Sequence, residues 1–377
     1  MQGNPLWPVT KRFPKLASNI NADITIIGAG ITGISSAYYL NKAGYNTIVI
    51  EQEEIGSAAT GASSGLLFYG YGTDFQDAIK LFNKDKAKLF WDESRETMKI
   101  IEDTINKNNL TAGLIKPGSI MVARNNLEQD YLEKEQTELK KIGITTNLLT
   151  NPEIRNYYTG RNFLSGLEYP ECSKIHPAIF AASLADNFDI KVYEYSPFTS
   201  FEETKDYIIV KTPNATIRSK KIIFATNLNP IFGLEKHFVM ESSALIASKV
   251  LDKREISKIW PNGKLIWTVS IEDDYDIIYP SDNRLILEVY SLKTAKEKLP
   301  YWYPKNFTID KQWGDSWAKS KDWLPIIGKV RANIYVAIAM GDQGIVMGYT
   351  AGRKMPMLIS GKQDEFLKLT SNKRFSK

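Results

Sequence analysis

The order of apolar and polar positions at the start of the chain predicts a strand, a helix and a second strand. Residues 23–27 end in an uninterrupted apolar run, which is typical of a buried parallel strand. Apolar residues within 34–40 then recur at helical spacing, and Gly44 ends that helix. The second strand, 47–50, is followed directly by Glu51. The chain therefore begins with a β-α-β unit.

The periodicity of the remaining sequence predicts further elements. Helices are expected at 90–105, 127–142 and 177–187. Strands are expected at 190–194, 198–202, 207–212 and 221–225. Between about 232 and 310, short apolar runs at 245–248 and 285–289 indicate an antiparallel sheet. A chain of 377 residues is long enough to form two or three core-forming lobes.

The turn between the first strand and the helix, residues 28–33, has the pattern G-x-G-x-x-G. Gly28 permits a tight turn, Gly30 lets the backbone approach a pyrophosphate, and Gly33 lets helix and strand pack closely. A glycine triplet alone also occurs in ordinary loops. Here it lies between a strand and a helix, and Glu51 follows at the spacing suited to both ribose hydroxyls. Because that carboxylate would repel a 2′-phosphate, the sequence predicts a dinucleotide of the FAD or NAD type.

Several later segments resemble the D-amino-acid oxidase superfamily, in its glycine oxidase and sarcosine oxidase branch. Small residues fill 56–67, which is similar to the second flavin loop of that family. The other similar segments, in the family's order, are 116–120, 175–177, 225–227, 322–328 and 341–347 with Gly352. A second G-x-G-x-x-G does not occur, since Gly70-Tyr71-Gly72 lacks a third glycine. The flavin would therefore take its electrons from the substrate rather than from NAD(P)H.

The resemblance implies an α/β and α+β architecture, in which a Rossmann-type FAD-binding domain carries an inserted substrate domain built on an antiparallel sheet. The FAD domain is expected at 1–80, 150–230 and 311–377, and the substrate domain at 81–149 and 231–310. The residues expected to bind FAD are Gly28, Ala29, Gly30, Ile31, Thr32, Gly33, Glu51, Gln52, Thr60, Gly61, Ser64, Gly65, Leu66, Leu67, Phe198, Ala225, Thr226, Gly341, Gly344, Ile345, Val346 and Met347.

The family's covalent flavin anchors have no counterpart in this sequence. Cys172 is the only cysteine and lies away from the family's cysteine anchor, and the second loop contains no histidine. FAD is therefore expected to bind non-covalently. The loop at 341–347, which leads into a helix, offers N–H groups to the negative charge of the reduced flavin.

The resemblance implies oxidation of a carbon–nitrogen bond in a small amine or amino acid by hydride transfer to flavin N5. A neutral amine supplies its own lone pair, whereas oxidation of an alcohol needs a base that is usually histidine. Only His176 and His237 exist, and His176 precedes a proline that begins a helix, so a capping or packing role is favoured. No catalytic residue is assigned. The alternative is a flavin-containing subunit or assembly factor of a larger complex, without turnover of its own.

Amino-acid-oxidising members of the family carry an arginine shortly after a tryptophan-glycine pair, where it binds the substrate carboxylate. In this sequence Trp317 takes that position, which argues against a simple amino-acid substrate. Arg284, Lys319 or Lys321 could instead supply the positive charge. The substrate-binding candidates are Tyr69, Tyr71, Tyr279 and Trp317, although packing explains the tyrosines equally well.

Composition excludes several other classes. The net charge is +5, and no basic cluster is interleaved with aromatic residues, which argues against nucleic acid. One cysteine excludes an internal disulfide, and two histidines leave little for a metal site. Neither a signal peptide nor an apolar run of membrane-spanning length is present. We expect a cytoplasmic protein whose partners are a small-molecule amine and an electron acceptor, either oxygen or a redox protein.

Overall fold

The computed structural model describes residues 6–70, 72–227, 232–269, 275–303 and 307–375. The strands are β1 (Ile20–Ile27), β2 (Thr47–Ile50), β3 (Leu66–Leu67), β4 (Ser119–Ala123), β5 (Asn147–Thr150), β6 (Ser165–Tyr169), β7 (Ser173–Lys174), β8 (Lys191–Tyr193), β9 (Ser200–Glu203), β10 (Ile208–Lys211), β11 (Thr216–Asn227), β12 (Phe238–Ser248), β13 (Leu265–Thr268), β14 (Ile277–Ser281), β15 (Arg284–Val289), β16 (Ile309–Ser320), β17 (Ile326–Arg331) and β18 (Ile334–Ile338). The α-helices are α1 (Ile31–Lys42), α2 (Ala59–Ala62), α3 (Phe75–Phe82), α4 (Lys84–Lys107), α5 (Asn126–Lys141), α6 (Asn151–Ile154), α7 (Pro177–Asn187), α8 (Lys253–Ile259), α9 (Leu292–Trp302), α10 (Gly344–Ser360) and α11 (Glu365–Thr370).

The first sheet has the strand order β17-β18-β11-β1-β2-β8, and β10 and β9 extend from β11. The pairs β1–β11, β1–β2, β2–β8 and β11–β18 are parallel. Strand β2 is buried along its whole length, as expected for a strand covered on both faces. The carboxyl ends of these five parallel strands therefore meet at one edge of the sheet, which is where ligands bind in such folds.

Helices α1 and α10 cross in close contact beside this edge. A Cβ atom added at Gly348 would lie 2.5 Å from Thr32 Oγ1, and one at Gly352 would lie 2.2 Å from Ser35 Oγ. Only glycine fits at either crossing point. The close approach fixes the amino ends of the two helices relative to each other and to the sheet.

The second sheet has the strand order β16-β12-β15-β14-β13-β4-β6-β5. Its pairs are antiparallel, as expected, except β13 with β4, which is parallel. The face that carries Leu245, Trp267 and Leu167 packs into the core shared with the first sheet, and we call it the cofactor-side face. The opposite face forms a separate core that includes Trp260 and Trp302.

Most of the predicted elements are confirmed with bounds close to those expected. The predicted helix at 90–105 forms the middle of α4, and the helix at 177–187 coincides with α7. The expected strand at 198–202 begins two residues later, at Ser200. The division into domains stays a prediction. Strands β6 and β16 pair within the second sheet, so this sheet extends past the predicted boundaries of the substrate domain at about 150 and 311.

The described helices include none that is both long and apolar enough to cross a membrane.

Candidate functional site

A cleft opens at the carboxyl ends of β1, β2, β11 and β18, between α1 and the amino end of α10. The residues that line it are Ile27, Gly28, Gly30, Ile31, Thr32, Ile50, Glu51, Gln52, Gly56, Ser57, Ala58, Ala59, Thr60, Ser63, Phe198, Phe224, Ala225, Thr226, Asn227, Trp317, Ala337, Met340, Gly341, Asp342, Gly344 and Ile345. Segments that are far apart in the sequence thus come together to line one cleft.

The glycine loop at 28–33 has the geometry that its sequence predicts. Gly28 has φ +104°, and a Cβ there would lie 2.7 Å from the carbonyl oxygen of Ala225. A Cβ at Gly33 would lie 1.9 Å from the carbonyl oxygen of Gly28. Gly28 and Gly33 therefore hold the turn closed, while Gly30 lines the cleft itself.

Two helix amino ends face this cleft, and both suit a negatively charged ligand. Gly30 is the N-cap residue of α1, and Gln343 is that of α10; neither makes a side-chain capping bond. The structure describes the first turn of each helix completely, and neither turn contains an acidic residue. The positive end of each helix dipole, together with N–H groups that receive no hydrogen bond from an N-cap side chain, favours negative charge here. The cleft therefore fits the pyrophosphate of a dinucleotide.

Glu51 lines the cleft at the end of β2. One carboxylate oxygen accepts the N–H of Ala29 at 2.8 Å, and the other accepts the N–H of Glu53 at 3.1 Å. Burial raises the pKa of Glu51, and the N–H groups partly offset this effect. An ionised carboxylate with lone pairs still available can accept hydrogen bonds from two ribose hydroxyls.

We expect Glu51→Ala to raise the dissociation constant of FAD about 10- to 100-fold, because each hydrogen bond to a charged group contributes about 1.5–3 kcal/mol. Flavin fluorescence during titration of the apoprotein measures this constant. The matched control is Glu53→Ala, which removes a neighbouring carboxylate that points to solvent. An unchanged dissociation constant for Glu51→Ala would show that Glu51 does not bind the ribose.

The cleft contains thirteen of the residues predicted to bind FAD: Gly28, Gly30, Ile31, Thr32, Glu51, Gln52, Thr60, Phe198, Ala225, Thr226, Gly341, Gly344 and Ile345. The others lie outside its lining: Ala29, Gly33, Gly61, Ser64, Gly65, Leu66, Leu67, Val346 and Met347. Two of these residues support the lining from behind: Gly33 packs against Gly28, and the N–H of Ala29 donates to Glu51. The lining also includes Asn227, which lies within the segment 225–227 but was not expected to bind FAD, and Met340, which directly precedes the segment 341–347.

The second loop, 56–67, is held between the two sheets. Thr60 Oγ1 accepts the N–H of Ile31 at 3.0 Å, which ties the loop to the start of α1. From the second sheet, Trp313 Nε1 donates to the carbonyl of Ala62 at 2.9 Å, and the Tyr279 hydroxyl donates to that of Ser64 at 3.2 Å. The loop thus joins the cleft to the cofactor-side face.

Covalent attachment of a flavin has no support in the chemistry of Cys172. Its side chain is buried, and burial raises the pKa of its thiol to about 12, so the reactive thiolate is not formed at neutral pH. Acid precipitation of the holoprotein is therefore expected to release all of the FAD into the supernatant. The absorption spectra of supernatant and washed pellet measure this, and a yellow pellet would contradict it.

The cofactor-side face of the second sheet has polar atoms that lack partners. Register across the strands places the side chains of Trp317, Leu245, Trp267 and Leu167 on one face. Buried polar atoms on this face that have no hydrogen-bond partner among the described residues belong to Ser165, Tyr169, Ser243, Trp267 and Trp317. Buried donors and acceptors are rarely left unpaired. This face therefore has the character of a ligand site.

The predicted substrate candidates have different positions. Trp317 lines the cleft, and Tyr279 contacts the second loop. Tyr69 is buried, and its hydroxyl has no partner among the described residues. Tyr71 lies outside the described residues. Tyr169 and Trp267 were not predicted, because their place on the cofactor-side face depends on strand register that the sequence does not reveal.

The basic residues considered for a substrate carboxylate already have partners or point to solvent. Arg284 Nη1 lies 2.5 Å from Asp310 Oδ2, and Lys319 Nζ lies 3.0 Å from Glu241 Oε1. The side chain of Lys321 is exposed. None of these three supplies a free buried cation at the site.

Both histidines pack away from the cleft. His176 is the N-cap residue of α7, its ring stacks on Trp7 at 4.7 Å, and its Nε2 lies 3.6 Å from Asp282 Oδ2. His237 stacks on Phe375 at 4.1 Å. The packing role predicted for His176 is confirmed.

Known proteins resemble this chain along most of its length. A family described as "FAD dependent oxidoreductase" matches residues 23–355. The chain is 25% identical to a probable oxidoreductase OrdL of Haemophilus influenzae over 94% of this chain and 86% of that protein. It is also 25% identical to gamma-glutamylputrescine oxidoreductase of Escherichia coli, over 94% and 87%. The fold is similar to that of glycine oxidase from Geobacillus kaustophilus, with a TM-score of 0.76, 16% identity and coverage of 93% and 98%.

Proposed function

The chain belongs to the family of FAD-dependent oxidoreductases, and we propose that it oxidises a carbon–nitrogen bond of a small amine. The 28–33 loop and the amino end of α1 would hold the FAD pyrophosphate, the amino end of α10 would face the flavin, and Glu51 would hold a ribose. The cofactor-side face and the second loop would form the walls of the substrate site. Relatives named for amine or amino-acid chemistry, gamma-glutamylputrescine oxidoreductase and glycine oxidase, support the proposal.

The observation that carries the proposal is the position of the two histidines. Oxidation of an alcohol needs a positioned base, usually histidine, to remove the hydroxyl proton. His176 and His237 are stacked on other aromatic rings outside the cleft. A neutral amine needs no such base, because its own lone pair forms the new carbon–nitrogen π bond. The arrangement of side chains therefore favours an amine.

Bound FAD supplies the two-electron acceptor for the hydride that leaves the carbon next to nitrogen. The substrate carbon and nitrogen are left as an iminium ion, which water hydrolyses to a carbonyl compound and a protonated amine or ammonium ion. The chain's own contribution is to bind the amine in its neutral form and to orient the carbon–hydrogen bond. Aromatic side chains such as Trp317 and Tyr69 exclude water from that region.

Anaerobic mixing of the purified holoprotein with a panel of primary and secondary alkylamines tests the proposal. We expect several amines to bleach the visible absorption of oxidised flavin, and subsequent exposure to air to show whether oxygen is the electron acceptor. Reduction by dithionite is the control, because it shows that the bound flavin can be reduced. Reduction by lactate or glycerol 3-phosphate but by no amine would indicate alcohol oxidation. If none of these compounds reduced the flavin, the result would favour the alternative function, a flavin-containing subunit without turnover of its own.

A further inference from the structure

We infer that the substrate site includes a pocket for a second, positively charged nitrogen of the substrate. The pocket would lie at four aromatic side chains, near a buried carboxylate. We call the four residues the aromatic group: Phe68, Tyr69, Tyr169 and Trp267. The carboxylate belongs to Glu135. This inference rests on the proposed amine oxidation and names its substrate class.

The aromatic group joins the second loop to the cofactor-side face. Phe68 and Tyr69 directly follow β3, whereas Tyr169 and Trp267 come from β6 and β13 of the second sheet. The Phe68 ring lies 4.4 Å from that of Trp267 and 5.1 Å from that of Tyr169, edge to face in both pairs. Tyr169 and Trp267 are 5.5 Å apart, also edge to face. The rings thus form a cluster at the junction of the cofactor and substrate sides.

Three polar atoms of this group have no hydrogen-bond partner among the described residues: the hydroxyls of Tyr69 and Tyr169 and Nε1 of Trp267. Both tyrosines are only 1% exposed, so bulk solvent does not satisfy them. An unpaired polar group in a buried position is unfavourable. Their concentration in one place indicates that a polar ligand completes the site.

Aromatic residues on the opposite face of the same sheet provide an internal comparison. The Tyr158 hydroxyl donates to the carbonyl of Trp302 at 2.9 Å. Trp260 Nε1 donates to the carbonyl of Lys264 at 2.8 Å, and Trp302 Nε1 donates to Asp276 Oδ2 at 2.6 Å. The same residue types are therefore paired in the structural core and unpaired in the aromatic group. Packing of the fold does not explain the difference.

The surroundings of the aromatic group are acidic. Glu135 is 1% exposed, and its carboxylate accepts the N–H groups of Phe75 at 2.8 Å and Gln76 at 2.9 Å. Burial raises the pKa of Glu135, and the charge of Asp74 raises it further. Burial also raises the pKa of Tyr69 and of Tyr169, and the charge of Glu135 adds to both effects. Because the pKa of Glu135 is raised to about 8, this carboxyl group is largely protonated until a cation binds nearby and lowers the pKa again.

The basic side chains near Glu135 and Asp74 among the described residues pair with other carboxylates, so neither group has a cation beside it. The Tyr131 hydroxyl lies 2.8 Å from Asp74 Oδ2 and 2.6 Å from Asp77 Oδ2, and its single proton can be donated to only one of them. Arg95 forms a two-bond ion pair with Glu171. Lys80 pairs with Asp77 at the surface. A cation bound at the aromatic group would be attracted by both the ring faces and the carboxylates.

The cation must be a nitrogen other than the reacting one. Hydride transfer requires the reacting amine to be neutral, whereas an acidic aromatic site stabilises the protonated form and would hold that amine unreactive. A second nitrogen, kept protonated, gains binding energy there without this penalty. The substrate class is therefore an amine with a second cationic nitrogen, such as an α,ω-diamine.

The test compares 1,4-diaminobutane with n-butylamine, which has the same carbon chain and one nitrogen. In anaerobic flavin reduction by the holoprotein, we expect the apparent dissociation constant to be at least about tenfold lower for the diamine. The ratio of the two constants is expected to fall about tenfold in Tyr169→Phe and further in Glu135→Gln. Tyr158→Phe is the matched control, because it removes a tyrosine hydroxyl from the other face of the sheet.

A second measurement does not depend on turnover. The diamine should raise the thermal unfolding midpoint of the wild-type holoprotein and of Tyr158→Phe more than butylamine does, and this difference should vanish in Tyr169→Phe. Tyr169→Phe removes an unpaired hydroxyl, so we expect it to fold even if Glu135→Gln does not.

The outcomes separate the two proposals. Reduction by both amines with equal constants and equal thermal shifts would overturn the cation pocket and leave amine oxidation standing. Selective stabilisation by the diamine without any flavin reduction would support the pocket and overturn amine oxidation. Absence of both effects would overturn both proposals.

Discussion

A Gly30→Leu variant is expected to fold and to retain no FAD. Gly30 has φ −73° and ψ 179°, a backbone conformation open to any residue, so the substitution introduces no backbone strain. A Cβ there would lie 3.1 Å from Thr60 Oγ1, and a leucine side chain would extend into the cleft at the amino end of α1. Loss of two charge-assisted contacts to a pyrophosphate amounts to about 3–6 kcal/mol, or roughly 10²- to 10⁴-fold in affinity.

The flavin-to-protein ratio after purification and titration of the apoprotein with FAD measure this effect, and circular dichroism checks the fold. Gly30→Ala is the graded control, since Thr60 must give way by only a few tenths of an ångström and the cleft stays largely open. Gly30 offers a cleaner test than Gly33, where a Cβ would lie 1.9 Å from a backbone oxygen and would disturb the turn itself. Normal FAD content in Gly30→Leu would mean that the pyrophosphate does not lie in this cleft.

The parts of the fold that could be predicted are those with a local cause. Gly33 is required by a contact with Gly28 within the same turn, and the period of apolar residues in α4 reports directly on one buried stripe. The position of Pro177 at the first turn of α7 likewise follows from a local rule. These elements were therefore predicted with bounds close to those observed.

Strand partners in the second sheet could not be predicted in this way. The parallel pair β4–β13 joins Ser119 to Leu265, and no signal in either strand identifies the other. Which face each side chain occupies depends on that register, because a shift of one residue would move Trp267 to the opposite face. The membership of Tyr169 and Trp267 in the candidate site is thus a property of the assembled sheet.

Charge pairing was equally hidden from the sequence. Arg284 and Lys319 were reasonable candidates for binding a carboxylate until the structure showed Asp310 and Glu241 beside them. Lys174 is another buried cation near the second loop. Its ammonium donates to Ser281 Oγ, which in turn donates to Asp282 at 2.8 Å, so its charge is compensated through one hydroxyl. These three basic residues therefore supply no free positive charge to the site.

This shortage predicts that an α-carboxylate on the substrate strongly reduces the rate of flavin reduction. Trp317 lines the cleft at the position where the resemblance leads one to expect an arginine, and it offers one indole N–H and no charge. A buried carboxylate without a partner is unfavourable by about 3–5 kcal/mol, which corresponds to a loss of roughly 10²- to 5 × 10³-fold in the ratio of reduction rate to dissociation constant.

Two matched pairs of substrates isolate the carboxylate. Sarcosine differs from N-methylethylamine, and D-alanine from isopropylamine, by replacement of a methyl group with a carboxylate, so the nitrogen and its substituents stay comparable. Stopped-flow measurement of anaerobic flavin reduction, at a pH that gives each pair equal amounts of neutral amine, compares the members directly. We expect the uncharged member of each pair to react faster. Rapid reduction by sarcosine or D-alanine would contradict this, and loss of that activity in Lys174→Met would then identify Lys174 as the group that binds the carboxylate.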